Sequence, residues 1–81
     1  MAIKKQSPLE ELKAHLRYLN ISYRELASEL DVSVSTFSDK INNKNRREFL
    51  SGEIVKIGVF LNLNKPEMMT YFFPDYLRNV S

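Results

Sequence analysis

Eighty-one residues, 43% hydrophobic and 27% charged, describe one globular domain with a modest core, since a chain of this size buries only about two-thirds of its unfolded surface. The lack of cysteine excludes a disulfide framework, thiol chemistry and thiolate metal sites, and no apolar run approaches the ~20 residues of a membrane span or the core of a signal peptide. The net charge is only +2, but it is unevenly placed: Lys40, Lys44, Arg46 and Arg47 fall in an acid-free stretch of eight residues, whereas Glu10, Glu11, Glu25, Glu29 and Asp31 precede it.

Residues 1–6 read as a flexible arm carrying Lys4 and Lys5. Ser7 and Pro8 are predicted to open a first helix, with Ser as cap and Pro at the first helical position. Leu9, Leu12, Leu16 and Leu19 recur at helical spacing as its buried stripe, and Asn20 is a left-handed stop. Ser22 caps a second helix and Glu25 returns a bond to the cap's own N–H. Leu26, Ala27 and Leu30 share one face, with Ala27 small enough for a close helix crossing. Asp31, Val32 and Ser33 break the period. Val32 plugs the turn, Ser33 caps a third helix, and Phe37 and Ile41 form that helix's inner edge. Its outer side offers Ser35, Thr36, Ser38 and Asp39, small polar groups suited to a groove.

The asparagines of Asn42-Asn43-Lys44-Asn45 tolerate positive φ and mark a turn. Phe49 and Leu50 are expected to tuck a loop against the core. Ser51 is expected to cap a fourth helix with Ile54, Ile57 and Leu61 as its stripe; Val55, Val59 and Phe60 broaden it into a helix sandwiched on most sides. Asn64, Pro66 and Glu67 open a fifth helix through Met68, Met69 and Phe72 to near Phe73, where Pro74 stops it. The last stretch carries Tyr76, Leu77 and Val80. No strand-type alternation occurs. The expected fold is all-α, a compact five-helix bundle containing a helix-turn-helix, divided into an arm (1–6), a domain (7–73) and a C-terminal tail (74–81).

The run from Tyr23 to Asn42, with Leu26, Ala27, Val32, Phe37 and Ile41 at its inner positions, resembles the lambda-repressor-like family, in particular phage Cro and repressor-type DNA-binding proteins. Phe49, the segment Glu53-Ile54-Val55-Lys56-Ile57 and the segment Leu61-Asn62-Leu63 are similar to phage-type members, and the likeness covers 7–73. Two positions depart from the pattern. Asp31 stands where the turn usually has Gly, and Lys40 stands where many relatives are apolar, the apolar residue coming one position later at Ile41.

The resemblance places base-reading residues at Val34, Ser35, Thr36 and Asp39. Ser35 and Thr36 can exchange hydrogen bonds with base edges, Val34 or the Thr36 methyl can meet a thymine methyl, and Asp39 can accept from cytosine N4. No Arg or Gln lies on this face, so modest direct specificity is expected, supplemented by DNA shape. Expected phosphate contacts are Ser22, Tyr23, Lys40, Asn43, Lys44, Arg46 and Arg47. Met69, Phe72, Phe73, Tyr76 and Leu77 belong to a cluster of large apolar side chains too numerous for one face of a short helix. They are the expected dimer interface.

The function expected from this pattern is a sequence-specific transcriptional regulator of the phage Cro or repressor type, a homodimer on a pseudo-palindromic double-stranded DNA operator in the cytoplasm of a bacterial or phage-infected cell. The alternative is an antirepressor or modulator that binds another phage repressor. Ser7, Ser22, Ser33 and Ser51 are accounted for as caps, and no Ser, His and Asp stand at a spacing that activates a nucleophile. His15 is the only histidine and has no thiolate partner. No enzymatic activity, cofactor, metal, membrane or small-molecule substrate is therefore expected.

Overall fold

The computed structural model describes residues 8–74, which form five α-helices and no strand: α1 Glu10–Leu19, α2 Tyr23–Leu30, α3 Val34–Asn42, α4 Ser51–Leu61 and α5 Lys65–Phe72. The arm, the Ser7 cap, and Tyr76, Leu77 and Val80 of the tail lie outside the described residues.

Local hydrogen bonding explains most of the helix starts. At α2, Ser22 Oγ accepts from the Glu25 N–H at 3.1 Å while the Ser22 N–H donates to Glu25 Oε1 at 2.8 Å, a complete reciprocal cap. Asn64 and Glu67 repeat it at α5, both bonds 2.9 Å long. At α3, Ser33 Oγ accepts from the Thr36 N–H at 3.0 Å. Two starts differ from expectation. Helix α1 begins at Glu10 and not at Pro8, because Leu9 is drawn into the core and its N–H is bonded to the Ile41 carbonyl at 2.9 Å. At α4, Ser51 is the first helical residue and Leu50 occupies the cap position. Leucine has no side-chain acceptor, so only the Glu53 half of the reciprocal cap exists, with the Leu50 N–H donating to Glu53 Oε1 at 2.9 Å.

One device ends four of the five helices. Asn20, Asp31, Asn43 and Asn62 all adopt left-handed backbone, φ between 52° and 59°. The residue after each donates its N–H back across the last turn: Ile21 to Leu16, Val32 to Ala27, Lys44 to Asp39 and Leu63 to Gly58. In three cases that following residue is apolar, and Ile21, Val32 and Leu63 fold against the core. After α3 it is Lys44, which stays at the surface.

The core comprises Leu9, Leu12, Leu16, Leu26, Ala27, Leu30, Phe37, Ile41, Phe49, Ile57, Leu61 and Phe72. Leu19 is 40% exposed. It has the azimuth of the α1 stripe but occupies the last turn, and Ile21 takes up the packing after the reversal. The sandwiched α4 also requires correction. Ile57, Gly58 and Leu61 are buried, whereas Val55 is 59% and Val59 77% exposed, and Leu50 and Phe60 are exposed as well. The α4 face built on Val55 and Val59 therefore meets solvent.

An aromatic chain runs through the interior. Tyr23 packs on Phe37 with ring centroids 5.1 Å apart, Phe37 on Phe49 at 5.4 Å, and Phe49 meets Phe72 edge-on at 5.8 Å. It joins α2, α3, the following loop and α5, so the loop is pinned at Phe49 while its earlier residues project outward.

Candidate functional site

Helices α2 and α3 make the most extensive contact of any helix pair, and three residues separate them. Asp31 reverses the chain in the left-handed region, Val32 folds onto the core and Ser33 caps α3. Asp is among the few residues that tolerate this backbone without glycine, so the turn forms with Asp31 at the reversal.

The start of α3 differs electrostatically from the other helix starts. Glu10 and Glu11, Glu25, Glu53 and Glu67 lie in the first turns of α1, α2, α4 and α5, but α3 has no acid there. A carboxylate in a first turn neutralises the partial positive charge of the helix end. The α3 end keeps that charge, and Val34 and Ser35 are exposed beside it. Thr36 is half-buried, its Oγ1 accepting from Ser33 Oγ at 3.0 Å.

The expected phosphate contacts divide. Lys44, Arg46 and Arg47 are exposed on the loop after α3. Lys40 is not part of that surface: its Nζ lies 2.7 Å from both carboxylate oxygens of Glu53, and the two side chains retain only 11% and 14% exposure. That pair ties α3 to α4. The apolar contact of this turn of α3 is made by fully buried Ile41, and Lys40 bridges helices instead. Asn43 forms the left-handed reversal at the end of α3. Ser22 is engaged with Glu25, whose carboxylate sits over the α2 start where a phosphate would have to approach. Tyr23 is half-buried against Phe37, and burial pushes its phenol above the ordinary value; Glu10 adds to the rise and Arg17 opposes it.

The loop brings together residues that stand apart in the sequence. Asn45 and Arg46 both have positive φ, 55° and 59°, and the Arg47 N–H donates to the Lys44 carbonyl at 2.9 Å. Positive φ at both central positions is the pattern of a type I′ turn. The chain doubles back and carries Arg47 over α3. Its Nη1 lies 3.4 Å from Thr36 Oγ1 and its Nε 3.6 Å from Asp39 Oδ2, while Asn45 Nδ2 donates to Asp39 Oδ2 at 3.0 Å. Asp39, placed by resemblance among the base contacts, is thus occupied by two loop residues. The Asn-containing turn was legible in the sequence; the return of Arg47 to α3 was not, because helical periodicity carries no information on loop direction.

Other polar groups hold α3 in place. Lys13 Nζ donates to Asn42 Oδ1 at 2.8 Å, and Asn42 Nδ2 donates to the Ser38 carbonyl at 2.9 Å. Of the expected dimer residues, Phe72 is only 7% exposed and completes the core, which corrects its assignment. Met69 is half-buried and Phe73 is exposed. His15 stacks on Tyr71 with ring centroids 5.0 Å apart, and its Nδ1 lies 3.4 Å from the Tyr71 hydroxyl, joining α1 to α5. No group of three or more His, Asp or Glu side chains with metal-holding geometry occurs among the described residues, and none of the helices there is long and apolar enough to cross a membrane.

Comparison with family models, with curated proteins and with solved structures finds no match to this chain.

Proposed function

We propose that the chain is a sequence-specific DNA-binding transcriptional regulator with a lambda-repressor-like helix-turn-helix, α3 being the helix that enters the major groove. The observation that carries this reading is the surface around α3: a capped, acid-free helix start presenting Val34 and Ser35, adjoining a loop whose exposed side chains include Lys44, Arg46 and Arg47. Small polar groups fit between base edges, and cations set the register on phosphates. In this reading Lys44 and Arg46 anchor the backbone, Ser35 and Thr36 face the bases, and Lys40 and Glu53 hold α3 at a fixed angle to α4. The chain works by occupancy as a homodimer on a pseudo-palindromic operator, without catalysis, and a bound dimer excludes polymerase.

Selection of bound sequences from a random double-stranded library tests the class of function. An enriched palindrome with half-sites about 34 Å apart is the expected result. Affinity for it should fall steeply with salt, because each phosphate neutralised releases about one counterion.

A second reading draws on the exposed side chains of Leu50 at the α4 cap position and of Val55 and Val59 on α4: a modulator that binds another repressor through an apolar surface. It predicts no shift of DNA at any salt concentration and co-elution with a protein partner.

A further inference from the structure

A major-groove helix without Arg, Lys, Gln or Asn on its reading face lacks the side chains that make bidentate contacts with purines. Exposed Val34 and Ser35, with half-buried Thr36 and Asp39 beside them on α3, are such a set. The structure supplies the missing group from outside the helix. The Lys44–Arg47 turn returns the guanidinium of Arg47 to Thr36 and Asp39, which are three residues apart on α3.

The contacts there are long, 3.4 Å to Thr36 Oγ1 and 3.6 Å to Asp39 Oδ2. A strong guanidinium–carboxylate pair is bidentate and shorter, about 2.7–2.9 Å. Arg47 is therefore oriented by Asp39 without being saturated by it, and its side chain remains 49% exposed. A guanidinium has five N–H donors; Nη1 donates to Thr36 Oγ1, and the Nε contact with Asp39 is an ion pair too long for a hydrogen bond. The other Nη donors are available for O6 and N7 of a guanine. The same arrangement resolves the difficulty of a carboxylate on a surface that meets phosphates, since the Asp39 charge is offset by Arg47 and its Oδ2 accepts from Asn45 at 3.0 Å.

We infer that Arg47 is a base-reading side chain that recognises guanine from the loop after α3, and that Asp39 is its positioning residue and not itself a base contact. The inference rests on the DNA-binding reading above, and it replaces the phosphate role expected for Arg47. Holding the fork in place before binding reduces the ordering cost of the contact, so the pair acts as a unit.

The test is library selection with the full chain, the Arg47→Ala, Arg47→Lys and Asp39→Asn variants, each checked for folding by circular dichroism. The wild-type motif should contain one strongly preferred guanine in each half-site. Arg47→Ala should lose that preference, about tenfold to a hundredfold in affinity ratio, while preferences at the other positions persist. Arg47→Lys keeps the charge but not the planar fork; it should weaken the guanine preference with little change in salt slope. Asp39→Asn should also weaken the guanine preference while preferences at the other positions persist; the accompanying rise in affinity for random DNA follows from the lost charge alone, and an unchanged guanine preference would overturn the positioning role. If Arg47→Ala instead weakens every sequence equally and lowers the salt slope by about one unit, Arg47 is a phosphate clamp; the inference fails and the DNA-binding reading stands. If the wild-type chain enriches no sequence, both fail.

Discussion

Lys40 and Arg46 illustrate how two cations of the same basic run acquire different physics. The Lys40 ammonium is enclosed with Glu53 at 2.7 Å, so truncating it leaves a largely buried carboxylate without its partner. Breaking such a pair from one side costs several kcal/mol when burial is complete; with the residual exposure here, Lys40→Ala should lower stability by about 2–3 kcal/mol. Urea unfolding measures that loss, and the salt slope of DNA binding should not change. Arg46 reverses this pattern. It occupies the second central position of its turn with φ 59°, where an L-residue costs roughly 1–2 kcal/mol and glycine almost nothing. Part of that gain is offset by the greater unfolded-state freedom of glycine. Arg46→Gly should raise stability by about 0.5–1 kcal/mol while weakening DNA binding at every sequence. A destabilised variant would show that the turn is held by the arginine side chain and not merely tolerated by its backbone.

At the scale of elements, packing between α4 and α5 depends on a missing side chain. A Cβ on Gly58 would lie 2.5 Å from Met68 Sδ and 2.7 Å from its Cε, so the Met68 side chain lies directly over the glycine. The obstructing atoms are the far end of a flexible thioether, which can swing aside. Gly58→Ala should therefore remain within about 1 kcal/mol of wild type, the displacement of Met68 being offset by the higher helix propensity of alanine. Gly58→Leu brings more volume than one rotamer change absorbs and should cost about 1–3 kcal/mol. Thermal unfolding of the two variants separates these outcomes, and an equal loss in both would mean that Met68 cannot move. The helix exits follow a related economy: Asn or Asp makes the reversal and an apolar successor returns to the core, except after α3, where the successor is Lys44. That exception leaves Lys44 at the surface.

For the molecule as a whole, the proposed operator binding requires two copies of α3, and the apolar side chains left exposed restrict how a second copy can dock. With Phe72 in the core, Phe73 remains exposed at the end of α5, while Val55 and Val59 form a separate exposed stripe on α4. Both are peripheral to the aromatic chain that organises the interior, so charges introduced at either should leave the fold intact. Phe73→Asp is expected to lower dimer affinity if the α5 end is the interface, and Val55→Asp with Val59→Asp if α4 is. Sedimentation equilibrium alongside circular dichroism discriminates between them. A wild-type chain that stays monomeric at micromolar concentration and binds a single half-site would remove the homodimer from the proposal.

The sequence by itself determined the elements around the site, because their causes are local. Ser22 with Glu25, Ser33, and Asn64 with Glu67 mark helix starts through hydrogen bonds spanning three residues, and Asn20 and Asp31 mark ends through backbone tolerance. The spacing of Leu26, Ala27, Leu30, Phe37 and Ile41 identified inner faces that are buried as expected. Tertiary structure decided what depends on distant partners. Whether Val55 and Val59 are covered depends on which helices reach α4, whether Lys40 faces solvent depends on Glu53 thirteen residues away, and where Arg47 points depends on a turn that folds back on α3. Periodicity fixes a residue's azimuth on its own helix, but the neighbour opposite that azimuth is fixed only when the chain closes on itself.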